Sequence, residues 1–381
     1  MSLWRRPPAT RATPELVDAL RLARTEGVGP IAWRRLRARF GTAAAALAEL
    51  PRLARAGGRD GAPRTPTAAE AEGEIAALDR LGGRFLVLGE PDYPALLATT
   101  DDAPPLLACL GEPEVLQRRA VAIVGSRNAS ANGQRIAELL AAGLAQAGIV
   151  VVSGLARGID TAAHAGALAH GRTVACVAGG LDLPYPPENE ALQARIAQGG
   201  AVLAEAPLGT APLGRAFPRR NRIIAGLALG TVVVEAAPRS GSLLTARMAL
   251  DAGREVFAVP GSPLDPRARG TNNLLREGAH LTETAEDVLR ELPREAAPGT
   301  AATPWPGLDE PAPAWEDSAL HLKIKSQLLE LLSPSPTPVD DLIRRCQCSA
   351  AAVRATLLEL EVAGRVESLP GNRVALIAKD F

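Results

Sequence analysis

Between residues 116 and 290, six short apolar runs alternate with helical patterns, and no other feature of the chain restricts its fold as much. The runs are Val121–Val124, Ile149–Val152, Val174–Val177, Val202–Ala204, Val232–Val234 and Val256–Val259. The helical patterns lie near 131–147, 158–170, 188–198, 220–229 and 242–252. A strand buried on both faces reads as an unbroken β-branched run, and strands separated by amphipathic helices form a parallel sheet covered on both sides. The expected fold is therefore α/β, with a Rossmann-like, doubly wound, mainly parallel sheet. Two stretches imitate membrane spans, Leu139–Ala156 and Ile223–Ala237. In the first, Gly148 separates a helical half from Ile149–Val152; in the second, Gly230-Thr231 does the same, so each reads as helix, glycine stop, strand.

The flanks differ in character. Residues 1–64 carry thirteen Arg against five acids and place Gly27-Val28-Gly29-Pro30-Ile31 between two helical patterns. This reads as a helix-hairpin-helix unit whose turn can hold a phosphate on backbone N–H groups, or as a small helical domain whose turn simply needs glycine. Residues 65–115 hold a helix (68–81), a strand (85–88) and a Pro-rich passage, and lead into a central domain spanning 65–290. A Pro-rich linker is expected at 291–318. In 319–381, helical patterns at 320–332, 339–344 and 349–363 precede two short strand patterns joined at Gly371-Asn372, which is the order of a winged helix. Its third helix carries Arg354 but also Glu359 and Glu361, and suits protein contact better than base reading.

Charge narrows the function. Forty-two basic residues balance forty-two acidic ones, which excludes a protein that coats nucleic acid by bulk charge but leaves room for a local basic groove. Only Lys323, Lys325 and Lys379 are lysines, so arginine, a bidentate oxyanion fork, carries any phosphate binding in the body of the chain. The four cysteines (109, 176, 346, 348) cannot staple so long a chain, and the N-terminus lacks the apolar core of a signal peptide. A reduced, cytoplasmic protein without a membrane anchor is expected.

In open parallel sheets, ligands sit beyond the carboxyl ends of the strands. There the sequence places Gly125-Ser126-Arg127, Ser153-Gly154-Leu155-Ala156-Arg157-Gly158, Gly179-Gly180-Leu181-Asp182 followed by Tyr185-Pro186, Pro238-Arg239-Ser240-Gly241-Ser242, and Pro260-Gly261-Ser262. Glycine lets backbone amides approach an oxyanion and arginine supplies countercharge, so these loops together read as a phosphate-binding rim. A second feature is Arg215-Ala216-Phe217-Pro218-Arg219-Arg220-Asn221-Arg222, four arginines and one of five phenylalanines at the start of a helix. Cations oppose a helix N-terminus electrostatically, so some of them answer to a ligand; guanidinium forks with one ring suit a nucleic-acid strand. Arg127→Ala or Arg220→Ala is expected to weaken binding and leave the fold intact. No catalytic constellation is evident. Asp160 and His164 fall on one helix face without a nucleophile and read as a structural pair, while Glu235 and Asp182 read either as ribose ligands or as loop caps. No metal site and no cofactor are expected.

The blocks AIVGSR (122–127), VSGLARGIDTAAH (152–164), GGLDLPYPPEN (179–189), FPRRNRIIAGL (217–227), RSGSLLTA through AVPG (239–261) and GTNNLL (270–275) resemble, in this order, the DprA/Smf family of DNA-processing proteins. The flanking regions are similar to the family's helical N-terminus and winged-helix C-terminus. The resemblance implies a protein that holds single-stranded DNA in a basic pocket of the Rossmann-like domain, dimerises through that domain, and loads RecA onto incoming strands during natural transformation. Carried over by position, it assigns phosphate contact to Gly125, Ser126 and Arg127. Phe217, Arg220, Asn221 and Arg222 fall beside the pocket, and Ser240, Gly241 and Ser242 on its other wall. Two family lysines are absent: none precedes Phe217, where Arg215 offers charge, and Pro187 follows Tyr185-Pro186.

Single-stranded DNA binding is thus the expected function, with the site drawn from Gly125, Ser126, Arg127, Arg157, Arg215, Phe217, Arg219, Arg220, Asn221, Arg222, Ser240, Gly241 and Ser242. The alternatives are a nucleotide enzyme, such as a LOG-type phosphoribohydrolase, and a transcription regulator acting through the winged helix. The first lacks its PGGxGT block and following catalytic Glu, since LLTARMALDAG follows Ser242.

Overall fold

The computed structural model describes residues 12–293 and 319–377. In chain order its elements are helices α1 (Pro14–Ala23), α2 (Pro30–Phe40), α3 (Ala43–Gly57) and α4 (Ala68–Arg80), then β1 (Gly83–Val87), α5 (Ala95–Ala98) and β2 (Leu106–Gly111). The alternating region follows as β3 (Ala120–Val124), α6 (Ala131–Gln146), β4 (Val150–Ser153), α7 (Ile159–His170), β5 (Thr173–Val177), α8 (Glu190–Gly199) and β6 (Ala201–Ala204). It continues through α9 (Ala216–Leu227), β7 (Gly230–Val233), α10 (Gly241–Asp251), β8 (Glu255–Ala258), α11 (Arg269–Arg276), β9 (His280–Leu281) and α12 (Ala285–Glu291). The C-terminal part comprises α13 (Ala319–Leu331), β10 (Thr337–Pro338), α14 (Val339–Cys346), α15 (Ala350–Val362), β11 (Val366–Leu369) and β12 (Arg373–Leu376). Among the described residues two compact units form, one of 74–100 and 107–293, the other of 12–73, 101–106 and 319–377.

The first unit is the α/β body. Its sheet runs β1-β2-β6-β5-β4-β3-β7-β8-β9, parallel from β6 through β9, with β2 antiparallel to β6. The six strands read from sequence are all present. The sheet nonetheless has nine strands, because β2 and the two-residue β9 join it beside the strand expected near 85–88. Side chains alternate across each strand, so Ala120, Ala122 and Val124 of β3 enter the core on one face and Val121 and Ile123 the core on the other. That double burial explains why β3 carries no polar residue to mark an outer face. Leu139–Ala156 resolves into α6, a glycine turn at Gly148 (φ +78°) and β4. No helix among the described residues is long and apolar enough to cross a membrane.

The second unit combines both ends of the chain. Thr13, Thr42 and Ser349 cap α1, α3 and α15 by accepting backbone N–H bonds from Leu16, Ala45 and Ala352. The helices α13, α14 and α15 pack around Ile324, Leu328, Leu342, Val353, Leu357 and Leu360, and the wing is a three-stranded sheet in the order β10-β12-β11. The helices α1–α3 belong to the same unit, and α2 and α3 lie against α15. From residue 294 onward the expected linker at 291–318 lies outside the described residues, while Glu291 closes α12 and Leu292 is buried against the body.

Candidate nucleic-acid interface

A cavity of about 200 Å³ opens at the carboxyl ends of β3, β4 and β5. Its walls come from Arg127 and Asn128 after β3, Gly154, Ala156 and Arg157 after β4, Val177, Ala178, Gly179, Leu183, Tyr185 and Pro186 at and after the end of β5, Pro212, and Phe217 and Arg220 at the head of α9. The Arg127 guanidinium lies 4.6 Å from the centroid of the Phe217 ring and that of Arg220 lies 5.9 Å from it. Tyr185 meets the same ring at 5.9 Å between centroids, tilted by 55°. Two arginines and two aromatic rings from two loops and the head of α9 therefore converge on one hollow.

Two glycines make the hollow possible. A Cβ on Gly154 would fall 2.7 Å from Asp160 Oδ2 and displace the Arg220 guanidinium. Gly158 has φ +76°, and a Cβ there would fall 2.7 Å from the Arg127 carbonyl oxygen, so the β4 loop passes directly under the Arg127 loop.

The arginines divide by what they already hold. Arg220 is 6% exposed, and its Nη1 donates to the carbonyls of Gly154 and Cys176, the latter at 2.5 Å. Burial lowers its pKa, and the neighbouring Asp160 pulls it back up. Asp160 in turn accepts from the amides of Gly154 (3.2 Å) and Ala156 (3.3 Å); burial raises its carboxyl against the pull of Arg220. Arg220 is thus a structural tie across the ends of β4 and β5 as well as cavity wall, which corrects the expectation that it can be removed with the fold intact. Arg222 is committed to Glu205 at 2.6 Å with both side chains mostly buried. Arg157 pairs with Glu188 at 2.5 Å, but that pair is more than half solvent-exposed on the Arg157 side. Arg127, Arg215 and Arg219 are exposed.

Of the other residues singled out from sequence, Gly125 packs under Ile159, and Ser126 Oγ accepts the Asn128 amide at 3.2 Å. Asn221 donates to the Gly241 carbonyl at 3.3 Å, and Ser240 and Ser242 share a hydroxyl hydrogen bond of 2.8 Å. The structure brings Arg127, Arg157, Phe217 and Arg220 together around the cavity; Gly125, Ser126, Arg215, Arg219, Asn221, Arg222, Ser240, Gly241 and Ser242 are not among its lining residues. Tyr185 lines it without having been singled out as a binding residue. Its signal was available, since it is one of only two tyrosines and ends a glycine-rich loop after a strand.

Asp160 and His164 do not form the expected pair. His164 is fully buried and meets Thr173 Oγ1 through Nδ1 at 2.8 Å, while Asp160 serves the β4 loop. Glu235 and Asp182 both turn out to cap loops. Glu235 accepts from the amide (2.9 Å) and hydroxyl (2.5 Å) of Ser130 at the head of α6, and Asp182 accepts the Gly209 amide at 2.9 Å. Among the described residues no group of three or more His, Cys, Asp or Glu is arranged to hold a metal ion.

Fold and cleft together define a doubly wound α/β protein with an arginine-and-aromatic hollow at its strand ends, accompanied by a helical domain and a winged helix. Residues 84–293 match the family model described as DNA recombination-mediator protein A, 13–77 the DprA-like N-terminal HHH domain, and 310–372 the DprA winged helix domain. The chain belongs to the DprA/Smf family of DNA-processing proteins. It is 41% identical to Protein Smf of Escherichia coli over 290 residues, covering 74% of this chain and 75% of that one. The crystal structure of DprA from Streptococcus pneumoniae is 42% identical and superposes with a TM-score of 0.55 over 60% of this chain and 82% of that one. DprA from Helicobacter pylori, described for its single-stranded DNA binding mode, is 30% identical with a TM-score of 0.50, over 55% of this chain and 97% of that one.

Proposed function

We propose that this protein binds single-stranded DNA in the cavity at the ends of β3, β4 and β5, protects incoming strands and loads RecA onto them in natural transformation and recombination. It acts without catalysis, as a cytoplasmic homodimer. The site consists of the thirteen residues named from sequence, with Arg127, Arg157 and Phe217 as its centre. The functional division is 1–64, 65–290, a linker at 291–318, and 319–381.

One observation carries the reading: Arg127, Arg220 and Tyr185 converge on the Phe217 ring. A ring flanked by guanidinium groups suits an unpaired base with its phosphates, because stacking needs an exposed base face. A duplex hides that face. The relative from Helicobacter pylori, described as binding single-stranded DNA, supports the same reading.

The nucleotide-enzyme alternative has a specific obstacle. In a doubly wound sheet a nucleotide phosphate sits at the head of the helix beside the switch point, here α6 between β3 and β7. Glu235 already occupies that helix head as an internal anion, and a Cβ added to Gly133 would lie 2.5 Å from its carboxyl carbon.

The test is filter binding of oligo-dT across a salt series. Neutralising about three to five phosphates per protomer gives a slope of log K against log salt near −0.7 times that number. A flat response, or equal affinity for duplex, removes the proposal.

A further inference from the structure

The third helix of a winged helix has an inner face in its own core and an outer face free for a partner, often the DNA major groove. In α15 the inner face is Ala352, Val353, Leu357 and Leu360. The outer face is not free. Leu358, Glu359, Glu361 and Val362 are no more than 5% exposed. They are covered by α3 and α2 within the same compact unit.

The fit between these helices is close. A Cβ on Gly57, the last residue of α3, would overlap the Glu359 carbonyl oxygen and fall 2.6 Å from the Ala363 Cβ. Backbone meets backbone there, which only a glycine opposite a small residue allows. The Gly-x-Gly turn, which reads from sequence either as a phosphate holder or as a plain tight turn, is covered by the same helix: a Cβ on Gly27 would lie 3.1 Å from the Val362 carbonyl oxygen and 3.2 Å from that of Glu361.

Polar groups at the contact are matched across it. Arg35 of α2 places Nη1 3.7 Å from Glu361 Oε2 and donates to Ser368 Oγ at 3.0 Å, while Ser368 Oγ donates to Glu361 at 2.8 Å. Lys325 of α13 donates to the Ala56 carbonyl at 2.6 Å, at the end of α3 where a cation complements the helix dipole. Glu359 is held from its own domain by His321 at 2.7 Å. A carboxylate as buried as Glu361 is strongly unfavourable without its cation, and that cation comes from the N-terminal helices. The acids that make α15 a poor reader of bases thus have a positive use.

We infer that the outer face of α15 is a protein-docking surface whose partner is the N-terminal helical domain of the same chain. The two terminal domains act as one module, and neither presents its nucleic-acid motif to duplex DNA. The winged helix serves as a clasp, and single-stranded DNA binding is left to the α/β body.

The experiment uses the full chain with a protease site inserted after Ala302 and cut after folding. The C-terminal fragment is expected to co-elute with the N-terminal one at the mass of a single set of fragments per protomer. Gly57→Leu is expected to release it. Arg35→Glu provides a second variant that leaves the helix crossing intact; it is expected to weaken fragment association roughly a hundredfold, and adding Glu361→Arg to restore it. Separate elution of the cut wild-type fragments overturns the inference, as does retention by Gly57→Leu or failure of the charge swap to rescue. Exchange of C-terminal domains between differently tagged, uncut protomers would show a second copy as the occupant and overturn the same-chain assignment.

Discussion

Arg127 lies over the face of Phe217 at 4.6 Å and has no carboxylate partner among the described residues. The ring holds the guanidinium in place without neutralising it, so the charge stays available to a phosphate. Arg127→Ala is expected to weaken oligo-dT binding about tenfold and to reduce the salt slope by about 0.7, with thermal unfolding unchanged. Filter binding and calorimetry on one preparation check both halves; an unaltered slope would show that Arg127 touches no phosphate.

Arg220 should behave oppositely. Its Nη1 ties the Gly154 and Cys176 carbonyls, and its removal leaves the buried Asp160 without a countercharge. Arg220→Ala is expected to destabilise the α/β body by roughly 3 kcal/mol or more, read as a lower urea midpoint. A variant that binds weakly yet unfolds like the wild type would assign Arg220 to DNA alone.

On the proposed reading, Glu188 competes with DNA for Arg157. Their ion pair is largely exposed, and such pairs contribute about 0–1 kcal/mol, so a phosphate can displace the carboxylate at little cost. Glu188→Gln is expected to tighten oligo-dT binding two- to tenfold, roughly, and to steepen its salt dependence. Weaker binding by this variant would show that Glu188 orients Arg157.

The sequence already contained much of this arrangement, and its gaps have physical causes. The six central strands were legible because burial on both faces leaves an uninterrupted apolar run, as in Ala120–Val124. The strand Leu106–Gly111 was not: it follows Pro104-Pro105, pairs antiparallel, and is preceded only by the four-residue helix α5, too short to set a rhythm. The sequence places Arg220 beside the DNA pocket with no part in the fold, because it lies in a run of charged residues. Its phase said otherwise, since 220, 223, 224 and 227 are spaced as one buried helical stripe with Ile223, Ile224 and Leu227. Contacts between the chain's two ends leave no periodic signal, and the Gly57 contact is visible only in three dimensions.

His164 makes acid stability a further check. Thr173 Oγ1 donates to the Val151 carbonyl and so accepts from His164 Nδ1, which leaves Nε2 as a buried lone pair without a donor. Protonating it would place a charge in an apolar site, and burial holds its pKa down to about 3 against an ordinary 6.5. Between those values the unfolded chain takes up a proton that the folded chain refuses, so this residue lowers stability as pH falls through that window, by at most about 1.4 kcal/mol per unit. His164→Gln is expected to flatten the loss of urea stability between about pH 6.5 and about pH 4 relative to wild type. Parallel curves for the two proteins would mean that His164 titrates normally in the fold.

The meeting of Gly57 with Glu359 and Ala363 also bears on how the molecule can be dissected. Cutting away either terminus alone would strip the cover from Leu358, Val362 and Glu361 or from the α3 seam, baring a greasy patch and a stranded charge. Such single-ended deletions should clump or precipitate for reasons unrelated to DNA, whereas shortening the polypeptide at both ends together removes both sides of this joint.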